Sequence, residues 1–162
     1  MSQLMNSIGK NARKESIKRV NTKLKDKVLK KYLSLLDKEK NAIFKANKKD
    51  LKFALNKKLK SNLINRLVIN HIKLNEIKNS IKKIIKLKDP IDKTLKSWTR
   101  PNGLKISKVS IPIGVIGVIY ESRPNVTSDV ASLCFKSGNS VILKGGSEAT
   151  NTNKMLVKLF RM

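Results

Sequence analysis

The loop "ESRPN", residues 121–125, holds two side chains that could act on a substrate. The amide of Asn125 could be a fixed hydrogen-bond donor to developing negative charge, and the guanidinium of Arg123 could clamp an anion. The same residues could equally form a turn that introduces the next helix. From the pattern alone, both interpretations remain open.

A second loop, "KGGSEA" at 144–149, combines residue types that suit a nucleotide site. Lys144 leaves the end of an apolar run, the small residues after it would let a ligand approach the backbone, and Ser147 offers a hydroxyl. The motif is neither G-x-G-x-x-G nor a P-loop. It could also be a strand-to-helix turn, in which glycine supplies conformational freedom and Ser147 or Glu148 serves the start of the helix.

Cys134, the single cysteine of the chain, could be a nucleophile or a small apolar residue. It lies in the middle of a predicted helix, and Val130, one turn earlier, belongs to the same apolar face. Burial in such surroundings raises the pKa of a thiol and lowers its reactivity, so we expect a structural cysteine. With one cysteine and one histidine, the chain contains neither a disulfide framework nor a His/Cys metal cluster, and we predict no metal site.

The elements around the two loops alternate between strand and helix. "GVIGVIY" and "SVILK" predict buried strands. The helix between them is expected to run from about Ser128, with Asp129 in its first turn, to a left-handed cap at Gly138. A second helix follows the second strand. This strand–helix–strand–helix order predicts a parallel, Rossmann-like sheet whose strands place both loops at the same carboxyl edge.

Residues 1–90 predict helices, because apolar residues recur at spacings of three and four. The stripes are Val28, Leu29, Tyr32, Leu33 and Leu36; then Ile43, Ala46, Leu51, Ala54 and Leu55; then Ile77, Ile81, Ile84 and Ile85. The third helix should stop near Lys88, because Pro90 disfavours helical geometry at the residue before it.

Apolar and polar residues alternate after "WTRPNG", in Leu104 and Ile106 and again in Val109 and Ile111. The alternation predicts strand, and the slip in its phase predicts a bulge or bend near Ser107–Lys108. The expected fold is therefore α/β. A helical N-terminal region, residues 1–98, precedes the first part of a parallel-sheet domain, residues 99–162.

The formal charge of +26 is concentrated in the first 100 residues, which carry +21, while the remaining residues carry +5. The excess is mostly lysine along helical patterns, without an arginine cluster, an aromatic platform or a nucleic-acid-binding motif. We therefore expect no specific nucleic-acid partner and only incidental attraction of anions. Because no apolar run approaches membrane-spanning length and the N-terminus does not resemble a signal peptide, we expect a cytoplasmic protein.

Residues 99–149 carry two motifs that resemble a known family. "GVIGVIYESRPNVT" and "KSGN-VILKGGSEA" are similar to γ-glutamyl phosphate reductases, also called glutamate-5-semialdehyde dehydrogenases, of the aldehyde dehydrogenase superfamily. The helical segments "IFKANKKDL", "LINRLVI" and "LKDPIDKTLKSW" occur in the order that this family shows. The resemblance covers essentially the whole chain.

This resemblance implies an oxidoreductase of proline biosynthesis that reduces γ-glutamyl phosphate with NADPH. In the family, a cysteine thiolate displaces phosphate from the substrate, and hydride transfer then yields glutamate 5-semialdehyde. The resemblance also implies that the chain lacks the catalytic domain with this nucleophile, since family members are more than twice as long. Cys134 lies where the family has no catalytic cysteine. The complete enzyme is expected to be a homo-oligomer.

The resemblance assigns roles to single residues of this sequence. Asn125 matches the asparagine that donates to the oxyanion, and Lys144 matches the lysine that bonds the adenosine ribose. Ser147 stands where many NAD-preferring relatives have a glutamate, which favours NADP. Gly146 and Glu148 complete the predicted cofactor site, and Arg123 is a candidate for binding the substrate's carboxylate or phosphate.

Two functions follow, and they belong to different classes. The first is the N-terminal part of an NADP-dependent reductase, including the first half of its NADP-binding domain, with no activity in this part alone. The second is a non-catalytic module or remnant that binds nucleotides or polyanions through its lysines.

Overall fold

The computed structural model describes residues 3–162, and the part of this range before residue 90 is helical. Its helices are α1 (Gln3–Ser16), α2 (Thr22–Lys38), α3 (Lys40–Asn56), α4 (Ser61–Leu67) and α5 (His71–Lys86). Side chains of α2, α3 and α5 form the core, and their buried apolar residues include Leu29, Leu36, Ile43, Ile77 and Ile81. The predicted stripes of α2 and α5 are confirmed, and α5 ends at Lys86, two residues before the expected position. Within residues 3–162, no helix combines the length and the apolar character needed to cross a membrane.

The buried face of α3 differs from the prediction. Its inward residues are Ile43, Asn47, Asp50 and Ala54, whereas Leu55 is exposed. These four positions follow a helical period, but two of them are polar. The apolar residues alone therefore predict a neighbouring and partly wrong face.

A hairpin follows the helices. Strands β1 (Thr94–Thr99) and β2 (Lys105–Val109) pair antiparallel. The expected boundary between residues 98 and 99 falls inside β1, so the end of the region predicted to be helical is a strand. The irregularity in the pairing lies at Leu95, opposite the step from Lys108 to Val109, rather than at Ser107–Lys108. The change in apolar alternation occurs in the sequence of β2, but the extra residue of the bulge belongs to β1.

The last part of the chain is a strand–helix–strand–helix unit, as predicted. It consists of β3 (Val115–Tyr120), α6 (Pro124–Lys136), β4 (Ser140–Gly145), a 3₁₀ turn (Ser147–Ala149) and α7 (Thr150–Phe160). In the described residues, β3 and β4 form a two-stranded parallel sheet. Leu156 and Leu159 of α7 join the core of the helical region, so both regions share one apolar cluster.

Helix α6 begins four residues before the predicted start at Ser128, and Asp129 therefore lies in its second turn. Pro124 occupies the first turn, where its fixed φ and missing N–H are tolerated. The helix ends as expected, with Gly138 in the left-handed region at φ +70°. The early start puts Asn125 on the helix, directly beside the end of β3.

Candidate functional site

The pairing of β3 with β4 brings the two predicted loops together. Tyr120, the last residue of β3, is the register partner of Gly145, the last residue of β4. Beyond the strand ends, Glu148 Oε1 accepts hydrogen bonds from Ser122 N at 2.5 Å and from Ser122 Oγ at 3.0 Å. The loops after β3 and β4 are therefore joined at the carboxyl edge of the sheet.

The carboxylate of Glu148 is partly buried at this junction. Burial would raise its pKa, but hydrogen bonds from its own backbone and from the N–H and hydroxyl of Ser122 outweigh that effect and lower the pKa. Gly146 makes room for the carboxylate, because a Cβ at this position would overlap the Glu148 side-chain oxygens. The backbone of Gly146 has an ordinary φ of −64°, so its conformation does not require a glycine.

Ser122 adopts a backbone conformation that is unfavourable for a serine. Its φ is +44°, in the left-handed region, and the residue is 2 % exposed. A left-handed conformation costs about 1–2 kcal/mol for a residue with a Cβ. The two hydrogen bonds to Glu148 offset this cost.

A second hydrogen-bonded chain fixes the start of α6. Tyr120 Oη lies 2.5 Å from Thr127 Oγ1, which donates to Asn153 Oδ1 of α7 at 2.9 Å. Gly145 lies against this chain, since an added Cβ would overlap the amide of Asn153 and come within 3.2 Å of the Tyr120 ring. Strand β3, helix α6 and helix α7 are thus tied together directly behind the loops.

Asn125 occupies the first turn of α6 and is half-buried. Its Nδ2 lies 3.5 Å from Asp129 Oδ2, one turn along the helix, which is a long and weak hydrogen bond. An amide nitrogen carries two N–H donors, so Asn125 keeps donor capacity for a ligand. Arg123, the residue before the helix, is exposed at the same edge.

Lys144 and Ser147 present their polar groups to solvent on the second loop. Both residues are exposed, and Lys144 is the register partner of Ile119. Thr150 Oγ1 donates to the carbonyl of Ser147 at 2.9 Å, which fixes the turn before α7. An ammonium and a hydroxyl next to a glycine pair are groups that suit the sugar and phosphates of a dinucleotide. In the described range, no group of three or more His, Cys, Asp or Glu side chains could hold a metal ion.

Cys134 lies away from this edge, in the last turn of α6 and not in the middle of the helix as predicted, because α6 begins earlier than expected and ends at Lys136. It is 7 % exposed, and burial raises the pKa of its thiol. The prediction of a buried, unreactive cysteine agrees with this environment.

A polar anchor behind the second loop was not predicted from the sequence. Asp50 of α3 is buried, and its carboxylate accepts hydrogen bonds from the backbone N–H groups of Asn151 and Thr152 and from both their side chains, at 2.7–3.0 Å. Asn47 accepts from Ile69 N at 2.8 Å and donates to Thr152 Oγ1 at 3.2 Å. Both residues stand in the segment "IFKANKKDL", where their spacing of three on a helix was the available signal.

Known proteins with similar sequence share one description. The chain is 42 % identical to γ-glutamyl phosphate reductase of Thermodesulfovibrio yellowstonii over 163 aligned positions, which cover 99 % of this chain and 39 % of that protein. The crystal structure of γ-glutamyl phosphate reductase from Thermotoga maritima has a TM-score of 0.93 and 38 % identity, over 99 % of this chain and 39 % of that one. No family model matches the chain.

A more distant comparison bears on the fold alone. The crystal structure of a Bacillus subtilis protein described as an aldehyde dehydrogenase has a TM-score of 0.62 and 18 % identity, over 93 % of this chain and 31 % of that one. The chain therefore shares its fold with part of that structure. The chain spans between 32 % and 39 % of the length of the curated relatives that it matches.

Proposed function

We propose that this chain, whose homologues are γ-glutamyl phosphate reductases, is the N-terminal part of such an enzyme. The reaction is the NADPH-dependent reduction of γ-glutamyl phosphate to glutamate 5-semialdehyde and phosphate, in proline biosynthesis. One structural observation carries the proposal: the loops with the candidate side chains meet at the carboxyl edge of a parallel strand pair. That edge is where sheets of this class bind their ligands. A cytoplasmic homo-oligomer acting on a small molecule is part of the proposal.

The cofactor site lies on the loop after β4. Lys144 donates to the hydroxyls of the adenosine ribose, and Gly146 lets the cofactor approach the backbone. The hydroxyl of Ser147 leaves room for a 2′-phosphate, where a carboxylate would repel it. NADPH, when bound, supplies the hydride of the reaction.

The substrate side lies on the loop after β3. Reduction of an acyl group places negative charge on the carbonyl oxygen, and a fixed N–H donor stabilises that charge. Asn125 has such a donor on a helix turn beside the strand end. Arg123 is exposed next to it and binds the substrate's carboxylate or phosphate by charge.

The nucleophile of the reaction comes from a part of the longer enzyme outside residues 1–162. Cys134 does not fill this role, because its thiol is buried in α6 and has a raised pKa. The alternative of a polyanion-binding remnant is less favoured. The similarity to enzymes extends over 99 % of the chain and does not single out the lysine-rich helices.

The cofactor preference of the complete enzyme tests this proposal. We expect wild type to form semialdehyde faster with NADPH than with NADH, and Ser147→Glu to shift the ratio of the two kcat/KM values toward NADH by about tenfold. Ser61→Glu, at an exposed serine of α4, adds the same charge away from the loop and should leave the ratio unchanged. A wild type that uses both cofactors equally well would contradict the role of Ser147. Absence of semialdehyde formation would contradict the function.

A further inference from the structure

We propose that Glu148 is a positioning residue, which clamps the loop after β3 and thereby holds Asn125 at the substrate carbonyl. The inference rests on the proposed function, because Asn125 acts there as the hydrogen-bond donor. It differs from the prediction that Glu148 contacts the cofactor. The structure turns the Glu148 carboxylate across the sheet edge to Ser122, and one of its oxygens already accepts two hydrogen bonds.

The clamp acts on the one residue of this loop that needs external support. Ser122 is buried with a left-handed backbone, a conformation that an isolated serine leaves readily. Glu148 binds both its backbone N–H and its hydroxyl, so these two contacts fix the conformation of the residue and not only its position. An ionised carboxylate is well suited to this, because hydrogen bonds to a charged acceptor are about twice as strong as neutral ones.

A short and stiff connection carries this constraint to Asn125. Arg123 is the residue that caps α6, and its carbonyl accepts from Val126 N at 3.0 Å to close the first turn. Pro124 has a fixed φ. Since three peptide units separate Ser122 from Asn125, a change in the Ser122 backbone angle moves the Asn125 amide.

Gly146 supplies independent support. A Cβ at this position would overlap the oxygens of Glu148. The carboxylate therefore lies against the Cα of Gly146, and an alanine at this position would displace it from where it binds Ser122. Gly146→Ala should therefore speed hydrogen exchange in the loop after β3, as loss of the clamp does, while the Glu148 side chain is still present.

The test uses the complete enzyme with Glu148→Ala, Glu148→Gln, Ser122→Ala and the double variant Ser122→Ala/Glu148→Ala. We expect Glu148→Ala to lower kcat about 10- to 100-fold, as a small misplacement of a catalytic group does, with KM and Kd for NADPH within about twofold of wild type. The double variant should be no slower than Glu148→Ala, because both changes remove the same contact. Glu148→Gln keeps the size and one acceptor oxygen, so it reports on the clamp even if the alanine variant folds poorly.

Hydrogen exchange of the peptide covering residues 121–126 provides a readout that does not need activity. The amide of Ser122 should exchange faster in Glu148→Ala, and the NADPH-binding stoichiometry should stay that of wild type. Glu76→Gln, an exposed glutamate paired with Lys73, is the matched control and should change neither kcat nor exchange.

The outcomes separate the inference from the proposed function. A raised KM for NADPH with kcat retained would show that Glu148 contacts the cofactor, and unchanged exchange at 121–126 would show that no clamp exists. Either result overturns the inference in an active enzyme. A wild-type enzyme without reductase activity refutes the proposed function, and with it the role of Asn125; the exchange experiment then still decides whether Glu148 holds the loop.

Discussion

Asn125 combines the donor chemistry that the proposed reaction needs with a fixed place in the first turn of a helix. Asp129, one turn along the helix, accepts a long hydrogen bond from the same amide. This bond orients the Asn125 side chain and leaves one of its N–H groups available to a ligand. An amide in this situation stabilises a charge that develops during the reaction more than it binds the substrate at rest. Its contribution should therefore appear in turnover.

We expect Asn125→Ala in the complete enzyme to lower kcat about 100- to 1000-fold, with little change in KM for NADPH. Asn125→Asp keeps the shape but replaces the donor by an acceptor, so it should be no faster than the alanine variant. Asn65→Ala, at an exposed asparagine of α4, should leave turnover unchanged. A normal kcat with a raised KM for NADPH would place Asn125 at the cofactor and not at the carbonyl oxygen.

Cys134 differs from Asn125 in that its chemistry is suppressed by its environment. Burial raises the pKa of the thiol, so at neutral pH the reactive thiolate is rare and shielded. Thiol labelling followed peptide by peptide should be slow at Cys134 in native protein and fast after denaturation. Cys134→Ala in the complete enzyme should keep its activity. Rapid native labelling, together with loss of turnover in Cys134→Ala, would mean that this cysteine takes part in the reaction.

At the scale of elements, α3 determines where α7 begins. Asp50 caps the N-terminus of α7 from another helix, because it accepts from the backbone N–H groups of Asn151 and Thr152. Such groups have no partner within their own helix. The 3₁₀ turn with Ser147 and Glu148 directly precedes α7, so this cap also sets the position of the loop after β4.

Asp50→Ala should leave these N–H groups without an acceptor and destabilise the start of α7 by about 2 kcal/mol. Hydrogen exchange of the α7 amides should then be about 30-fold faster at neutral pH. Asp37→Ala, which removes an exposed carboxylate paired with Lys78, should change this exchange by less than about threefold. Equal exchange in the two variants would show that the cap contributes no stability.

The elements also show what a sequence can and cannot predict. Apolar periodicity predicted α2 and α5, and strand order predicted that the two loops share an edge. The start of α6 was misplaced because the true cap, Arg123, is not a capping residue type, while Ser128 is. The bond between Ser122 and Glu148 joins residues 26 positions apart and depends on two turn conformations. Local pattern does not contain that information.

At the scale of the whole molecule, the scarce acidic residues tie the helices to one another. Lys136 of α6 is 3 % exposed and bonds Asp26 of α2 at 2.5 Å, and Lys25 of α2 bonds Asp89 beyond α5 at 2.8 Å. The remaining lysines lie mostly on outer faces, where they repel one another and attract anions. High charge favours solubility, whereas exposed apolar side chains on the parallel sheet lower it. Ile119, on β3, is 80 % exposed, and Ile113, just before β3, is 83 % exposed.

Those exposed residues, and the proposal that the nucleophile lies outside residues 1–162, lead to a prediction for residues 1–162 expressed alone. We expect no semialdehyde formation, because hydride transfer needs an acyl group on a thiolate that faces the cofactor, and Cys134 lies inside α6. NADP should bind weakly, since a doubly wound site is completed by further strands. The apolar edge around Ile119 should cause poor solubility despite the charge of +26. Turnover assays and NADP titrations of residues 1–162, run beside the complete enzyme, measure the activity and the Kd for NADP. NADPH-dependent turnover by residues 1–162 that Cys134→Ala abolishes would refute both the inactivity and the structural role of the cysteine.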